Sequence, residues 1–386
     1  MRVRLGQRMQ DISATSWNAL AGGAGPFLRH EFLAALEASD SVARSTGWQP
    51  YHVTVHDHDE LIAAMPLYVK HHSYGEYVFD WSWADAYRRY GKPYYPKLLT
   101  AIPFTPSQGS RLLVKDAQVQ SKVLPLLVDT IRGYTQQGEF SSWHLLFPHP
   151  DDADGLDQTG LIRREGCQYH WHNRGYDSFD DFLAQFSSRK RKNLRKERLS
   201  INDQGLSFHR IHGADIDQHT WDIFYRFYQN TYQIRGQHGY LTRDFFSRLA
   251  SQMPENVLLI MVKHHDRYVA GALFLYDEHS LFGRYWGCEA DFHNLHFETC
   301  YYQGIEFCIE KGLTLFDAGA QGEHKLRRGF EPVRTLSYHW IEDPAFRHAI
   351  ADYCQQDSLH VTEFIDSAET YLPFKKSLTV DDQFTK

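Results

Sequence analysis

Residues 280–332 read SLFGRYWGCEADFHNLHFETCYYQGIEFCIEKGLTLFDAGAQGEHKLRRGFEP. The stretch opens on an apolar, aromatic run, SLFGRYWGC (280–288), which fits a strand. Glu289–His296 is polar and carries no glycine. Phe297 to Lys311 has helical periodicity, and LTLFDAG (313–319) reads as a second, buried strand. The segment after it, Gly319 to Phe330, combines glycines, an acid, a histidine and three cations. Strand, helix, strand and then a charged glycine-bearing loop is the local grammar of an α/β fold.

Working outward, VLLIMVKH (257–264) and RYVAGALFLYD (267–277) form an expected strand pair upstream. Helices are expected over 180–200, 217–235 and 242–252, and a last strand over 336–341. The first half has the same plan. Phe27 to Ala38 places Phe32, Leu33 and Leu36 at helical spacing. YHVTV (51–55) and ELIAAMPLYVK (60–70) flank the turn His56-Asp57-His58-Asp59. Residues 71–110 read as loop, with Pro93, Pro96, Pro103 and Pro106. Val119 to Tyr134 is a helix containing Pro125, SSWHLLF (141–147) a buried strand, and His149 to Gly160 a polar turn or boundary. The tail from about residue 373 reads as polar and loose. Each half is helix, antiparallel strands, helix, strand. This points to two similar domains, 1–160 and 161–386.

Composition limits the function classes. The 386 residues are 42% hydrophobic and 23% charged, which excludes wholesale disorder. Lys and Arg number 41 against 48 Asp and Glu, giving a charge of −7 that argues against a dedicated duplex-DNA binder. Cysteines at 167, 288, 300, 308 and 354 are odd in number and form no CxxC, so reduced thiols are expected. The first residues carry no apolar signal core, and no run of about 18 apolar residues occurs. The expectation is a soluble, cytoplasmic protein without a membrane span.

Four stretches resemble one family in order and spacing: PFLRHEFLAALEAS (26–39), SSRKRKNLRKE (187–197), FYRFYQNTYQIRG (224–236) and YWGC…GFEP (285–332). Together they resemble the FemAB-like branch of the GNAT superfamily of N-acyltransferases. The resemblance implies an α/β (α+β) protein of two tandem GNAT-like domains with mixed, largely antiparallel sheets. It also implies a degenerate first domain that helps bind the acceptor and a second domain that holds the chemistry. Fem enzymes move an amino acid from aminoacyl-tRNA to an amine of a peptidoglycan precursor. Leu326-Arg327-Arg328-Gly329-Phe330 resembles their Phe-Lys-x-Gly-Phe element, with Arg327, a permanent cation, in place of Lys. The glycine signature by which ordinary GNAT enzymes bind CoA is missing from 289–296.

Acyl transfer to an amine needs a proton acceptor and charge to offset the tetrahedral oxyanion. Glu298, Glu323, His324 and Arg327 are the catalytic candidates. Tyr285, Trp286, Gln321, Lys325, Arg328 and Arg235 are candidates for substrate binding. Along strand 280–288, Arg284 and Trp286 are expected on one face and Tyr285 on the other. Residues 189–198 hold seven cations and one anion. Arg189, Lys192 and Lys196 share a helix face there, suited to tRNA, a nucleotide or another anionic ligand. His293-x-x-His296-x-Glu298 is not a zinc-site spacing, and no metal is assigned. The aromatic loop Asp80 to Tyr90, with Arg88 and Arg89, is a further candidate for a sugar, base or phosphate. No cofactor is assigned; aminoacyl-tRNA or acyl-CoA is the expected donor and an amine the acceptor.

The leading reading is therefore an N-acyl- or aminoacyltransferase working by direct attack. Two rivals stand beside it. An inactive GNAT-fold protein binding nucleic acid or anionic lipid would keep the 189–198 cations and need none of 321–330. A CoA-dependent small-molecule N-acetyltransferase would need a phosphate cradle before the 297–311 helix.

Overall fold

The computed structural model describes residues 1–375 apart from Glu139 and Asp291. Its strands are β1 (Arg2–Gln7), β2 (Trp48–Pro50), β3 (His52–Asp57), β4 (Glu60–Met65), β5 (Tyr68–Lys70), β6 (Lys97–Thr100), β7 (Leu113–Val114), β8 (Ser142–Leu146), β9 (Ile162–His172), β10 (Leu206–His212), β11 (Val257–His264), β12 (Arg267–Tyr276), β13 (Ser280–Cys288), β14 (Leu315–Asp317) and β15 (Glu331–Ile341). A four-stranded sheet has the order β1-β3-β4-β7. An eleven-stranded sheet has the order β10-β11-β12-β13-β14-β9-β15-β8-β6-β5-β2 and runs through both halves of the sequence. The fold is mixed α/β with mixed, largely antiparallel sheets, as expected.

Two strand pairs are parallel, β6 with β8 and β13 with β14. A parallel pair requires a crossover, and a helix supplies it each time. Ala117–Gln136 links the first pair, and the helical stretch from Leu295 to Lys311 links the second. Asp116 caps the first crossover helix by accepting from the Val119 N–H at 2.8 Å. The antiparallel pair β15–β8 joins the two halves, from Ser337 opposite Leu146 to Ile341 opposite Ser142. A common apolar core also joins them. Phe27 meets Phe282 edge-on at 5.0 Å, and Phe32 meets Phe245 at 5.7 Å.

Several expectations are corrected. Residues 71–110 are not all loop: Trp81–Arg89 is a helix, and Lys97–Thr100 is β6. The aromatic residues at 81–90 had masked that helix, whose Trp83 and Tyr87 pack inward on Ile350 and Cys354. The expected helix over 180–200 is two, Phe179–Ala184 and Ser188–Asn202, broken by Gln185–Ser187. The last strand starts at Glu331 rather than residue 336, and the 26-residue helix Pro344–Glu369 follows it. Pro373 and Lys375 are docked, not loose. The Pro373 carbonyl accepts from the Ser187 N–H at 2.9 Å, and the Lys375 N–H donates to Gln185 at 2.8 Å. The rest of the tail, 376–386, lies outside the described residues.

Where β6 and β8 part, a side chain of the protein fills the gap. Arg111 is 1% exposed. It donates to the carbonyls of Leu146 at 2.7 Å, Gly109 at 2.9 Å and Ser107 at 2.5 Å. Burial pushes its guanidinium down to about 9, with only Asp152 opposing. Replacing Arg111 by Met would strand those carbonyls, at about 1–3 kcal/mol for each one left unpaired. The expected result is a stability loss of about 3 kcal/mol or more, read as a lower urea midpoint with an unchanged slope.

Candidate functional site

Strands β13 and β14 stay together for only three residues. Ser280, Leu281 and Phe282 lie opposite Leu315, Phe316 and Asp317. Beyond them β13 continues to Cys288, while the other strand leaves through Ala318 and Gly319 into the short 3₁₀ helix Glu323–Arg328. The strands therefore splay, and an opening forms between their ends.

A bulge aims residues into this opening. Tyr285 is opposite Leu273 and Gly283 opposite Phe274, so Arg284 is the extra residue. Arg284 and Tyr285 consequently both serve the face toward the first half. Arg284 lies over Phe27, and Tyr285 packs on Tyr228 at 5.2 Å. Trp286 turns the other way, to His296 at 5.2 Å. Strict alternation had put Arg284 with Trp286; the bulge overturns that.

Arg284 pairs with Asp317 at 2.8 Å, their side chains 3% and 2% exposed. Asp317 also accepts from the Ser107 hydroxyl at 2.7 Å and from the Gly319 N–H at 2.8 Å. Burial alone would raise the Asp317 carboxyl, but Arg284, His170 and these hydrogen bonds hold it down to about 2. Above the pair, Lys325 is 1% exposed, and its Nζ donates to the Gly319 carbonyl at 2.7 Å. Its ammonium is thus tied back across the opening to the chain that leaves β14. Burial pushes it down to about 8; Asp317 resists this and Arg284 adds to it.

The other candidates separate by role. His324 is 2.8 Å from the Tyr301 hydroxyl, which lies 3.4 Å from His296. Burial and then Arg328 and Lys325 lower His324, while burial and then His324 take His296 to about 4. Both rings are neutral at pH 7. Arg328 is held structurally. It donates to the Tyr302 hydroxyl at 3.0 Å and to Glu197 at 2.8 Å, and covers the Phe297 ring at 3.5 Å. Glu298 lies in a π turn and faces the basic helix. It accepts from Arg198 at 2.7 and 3.0 Å and from Gln303 at 2.9 Å, away from Lys325. Gln321, Glu323 and Arg327 are exposed, and Arg327 has no ion-pair partner among the described residues. Arg235 is exposed just past the helix Gln218–Gln233.

On Ser188–Asn202, Arg189, Lys192 and Lys196 are exposed and without ion-pair partners among the described residues. Arg195 pairs with Asp180 at 2.8 Å, and Arg198 turns inward to Glu298 and Glu306. The structure thus keeps the stripe together, on a helix whose Glu197 accepts from Arg328 at 2.8 Å. Sequence reasoning missed Asp317 and Ser107. Asp317 had a readable signal, since it is a carboxylate ending a buried apolar run. Ser107 had none, as it arrives from the other half of the chain.

Residues 8–376 match a family model named FemAB-like, described as peptidoglycan biosynthesis/recognition. The chain belongs to the FemAB-like family. This FemAB-like chain is similar to a crystal structure of FemX, with a TM-score of 0.54 and 14% identity over 91% of this chain and 100% of that one. It is also similar to the C-terminal domain (DUF2156) of a putative lysylphosphatidylglycerol synthetase from Agrobacterium fabrum, with a TM-score of 0.54 and 10% identity over 90% and 95%. At these identities the likeness is one of fold. No curated protein matches the chain. Among the described residues, no helix is long and apolar enough to cross a membrane.

Proposed function

We propose that this FemAB-like chain transfers an acyl or aminoacyl group to an amine at the opening between β13 and β14. The observation that carries this reading is the buried Lys325 ammonium, held on the Gly319 carbonyl where the two strands part. A donor carbonyl inserted between the splayed strands would lie beside that cation. The amine nitrogen attacks the carbonyl carbon and a C–N bond forms. Lys325 offsets the oxyanion. Collapse breaks the bond to the donor's oxygen or sulfur, and the leaving group takes a proton as the nitrogen loses one. His324, neutral and at the mouth, is the proton acceptor we favour. Arg327, exposed and unpaired, meets the donor's phosphates.

The first half supports the same assignment. Arg111 fills its parallel-strand gap, and we read the parting of β13 and β14 after Phe282 and Asp317 as the donor's place in the second half. We therefore assign residues 1–160 as the degenerate GNAT-like domain and 161–386 as the catalytic one. For the donor we favour aminoacyl-tRNA, present in the cytoplasm. The 289–296 connector has no glycine cradle for CoA, and Arg189, Lys192 and Lys196 present an unpaired stripe to a phosphate backbone.

The test is transfer onto a lysine-containing peptide, read by mass spectrometry, with charged total tRNA, acetyl-CoA or a long-chain acyl-CoA offered separately. Mass gain with charged tRNA is expected. Reversing Arg189, Lys192 and Lys196 to Glu should cut that rate at least tenfold and flatten its salt dependence. Gain with a CoA thioester alone would overturn the choice of donor, and no gain with any donor would leave the binding-protein reading in its place.

A further inference from the structure

The short helix that carries Lys325 also carries His324, and a chain of polar side chains runs back from it. His324 Nε2 lies 2.8 Å from the Tyr301 hydroxyl, and that hydroxyl lies 3.4 Å from His296 Nε2. His296 Nδ1 is in turn 3.5 Å from the Cys300 sulfur. The π turn Glu298–Tyr302 makes this chain possible. In an α-helix residues five apart fall on different faces, whereas the wider π turn brings Tyr301 into line with His296. Tyr301 is 4% exposed, and its ring packs on Phe330 at 5.5 Å and Phe297 at 6.1 Å. Packing thus fixes the hydroxyl between the two imidazoles.

A phenol hydroxyl has one proton to donate. Tyr301 gives it either to His324 or to His296, and the choice sets which nitrogen of His324 carries hydrogen. Given to His324, the proton occupies the Nε2 lone pair and leaves the ring's own hydrogen on Nδ1. Given to His296, it lets Tyr301 accept from His324 Nε2–H, and Nδ1 keeps its lone pair. Nδ1 of His324 has no hydrogen-bond partner among the described residues, and the side chain is exposed.

The far end of the chain favours the second arrangement. Burial, and then His324, lower His296 to about 4, so its neutral ring has one lone pair to offer. Burial pushes the Cys300 thiol well up, so the sulfur beside Nδ1 is uncharged. An imidazole N–H is a stronger donor than a thiol S–H. Nδ1 of His296 therefore carries its proton toward Cys300, and Nε2 accepts from Tyr301.

We infer that Tyr301, by donating to His296, is a positioning residue that holds His324 as the Nε2–H tautomer, with the Nδ1 lone pair free to take the attacking amine's proton. The source of that proton rests on the transfer reading; the tautomer does not. An N–H bond of the amine breaks, an N–H bond forms at Nδ1, and the imidazolium keeps its Nε2–H on Tyr301. Lys325 and Arg328, on the same short helix, oppose that charge, while the π turn presents uncharged Tyr301, with His296 behind it. The oxygen accepting from Nε2–H offsets the two cations.

The experiment is two-bond proton–nitrogen correlation NMR on the full chain labelled with 15N-histidine, at pH 7 and without donor or acceptor. Protonated and unprotonated ring nitrogens resonate far apart, and the His324 signals are those missing from His324→Gln. The native pattern is expected to be Nε2–H. His296→Phe removes the acceptor, so Tyr301 must donate to His324 and the pattern should switch to Nδ1–H, with the melting temperature showing that the variant is folded. Native Nδ1–H, or no switch in folded His296→Phe, overturns the inference. Tyr301→Phe keeps the packed ring and gives a second reading. Where transfer occurs, it should lower kcat about tenfold, with KM for the donor little changed. It should also move the acid limb of the rate to lower pH, because the imidazolium loses the oxygen that stabilised it. An acid limb that stays in place would mean that the hydroxyl serves packing alone and would also sink the inference. The expected tautomer and switch without transfer from any donor would sustain the assignment and sink the transfer reading.

Discussion

Replacing Lys325 by Met is expected to lower kcat/KM for acyl transfer by about 10²–10³, with most of the loss in kcat. A cation poised for an oxyanion acts on charge that exists only in the transition state, so its removal should hardly disturb donor binding. The packing consequence is small, since Met keeps the volume of the buried stem. Lys325→Arg should retain more activity than Lys325→Met, because the charge survives, but less than the native enzyme. Arg cannot place a compact ammonium on the Gly319 carbonyl. The pH profile separates this role from a structural one. Burial holds the Lys325 ammonium at about 8, so the active cation is present below that pH and is lost above it. The native rate should fall above about pH 8, and in Lys325→Arg that alkaline limb should move out of range. Equal rates for the native and Met proteins in the transfer assay would remove Lys325 from the mechanism.

Much of this site was legible in the sequence, and the unread parts share a cause. The strand–helix–strand order of 280–319 follows from periodicity, and the charged loop after it was visible as composition. The facing of Arg284 was not, because a bulge is a property of two strands, and its partners Leu273 and Phe274 stand some ten residues upstream. The role of Glu298 was misread for a similar reason. A carboxylate in a first helical turn has an adequate local explanation, and Arg198, a hundred residues away, is what captures it. Arg328 read as a free cation until Glu197 and Tyr302 were seen to hold it. Lys325, beside two other cations in sequence, differs from exposed Arg327 in burial and from buried Arg328 in being held by a backbone carbonyl rather than a carboxylate. The helix Pro344–Glu369 was passed over because few of its positions are fully buried: Ile350, Cys354 and Ala368. A helix that covers β9 and β15 from one side and is otherwise solvated leaves a weak periodic signal.

Removing Asp317 should be the most destabilising single change at the site. Asp317→Ala leaves the Arg284 guanidinium buried without its counter-ion and strips the Ser107 hydroxyl and the Gly319 N–H of their acceptor. Breaking a buried pair in this way costs about 3–5 kcal/mol. The double variant Arg284→Met/Asp317→Leu removes both charges, so urea unfolding should show most of that loss recovered. The acid limb gives an independent check. The folded-state carboxyl is held at about 2, below the ordinary Asp value near 4. The native state therefore binds fewer protons there than the unfolded chain does. Its contribution to stability is complete above about pH 4 and drains away as the pH falls toward 2, by about 2–3 kcal/mol in total. Native protein should thus lose melting temperature more steeply between pH 4 and 2 than the double variant, which has no carboxylate there to protonate. Parallel acid limbs would mean that Asp317 is not held low by Arg284. The bulge that delivers Arg284 would then have no electrostatic part in closing the root of the opening.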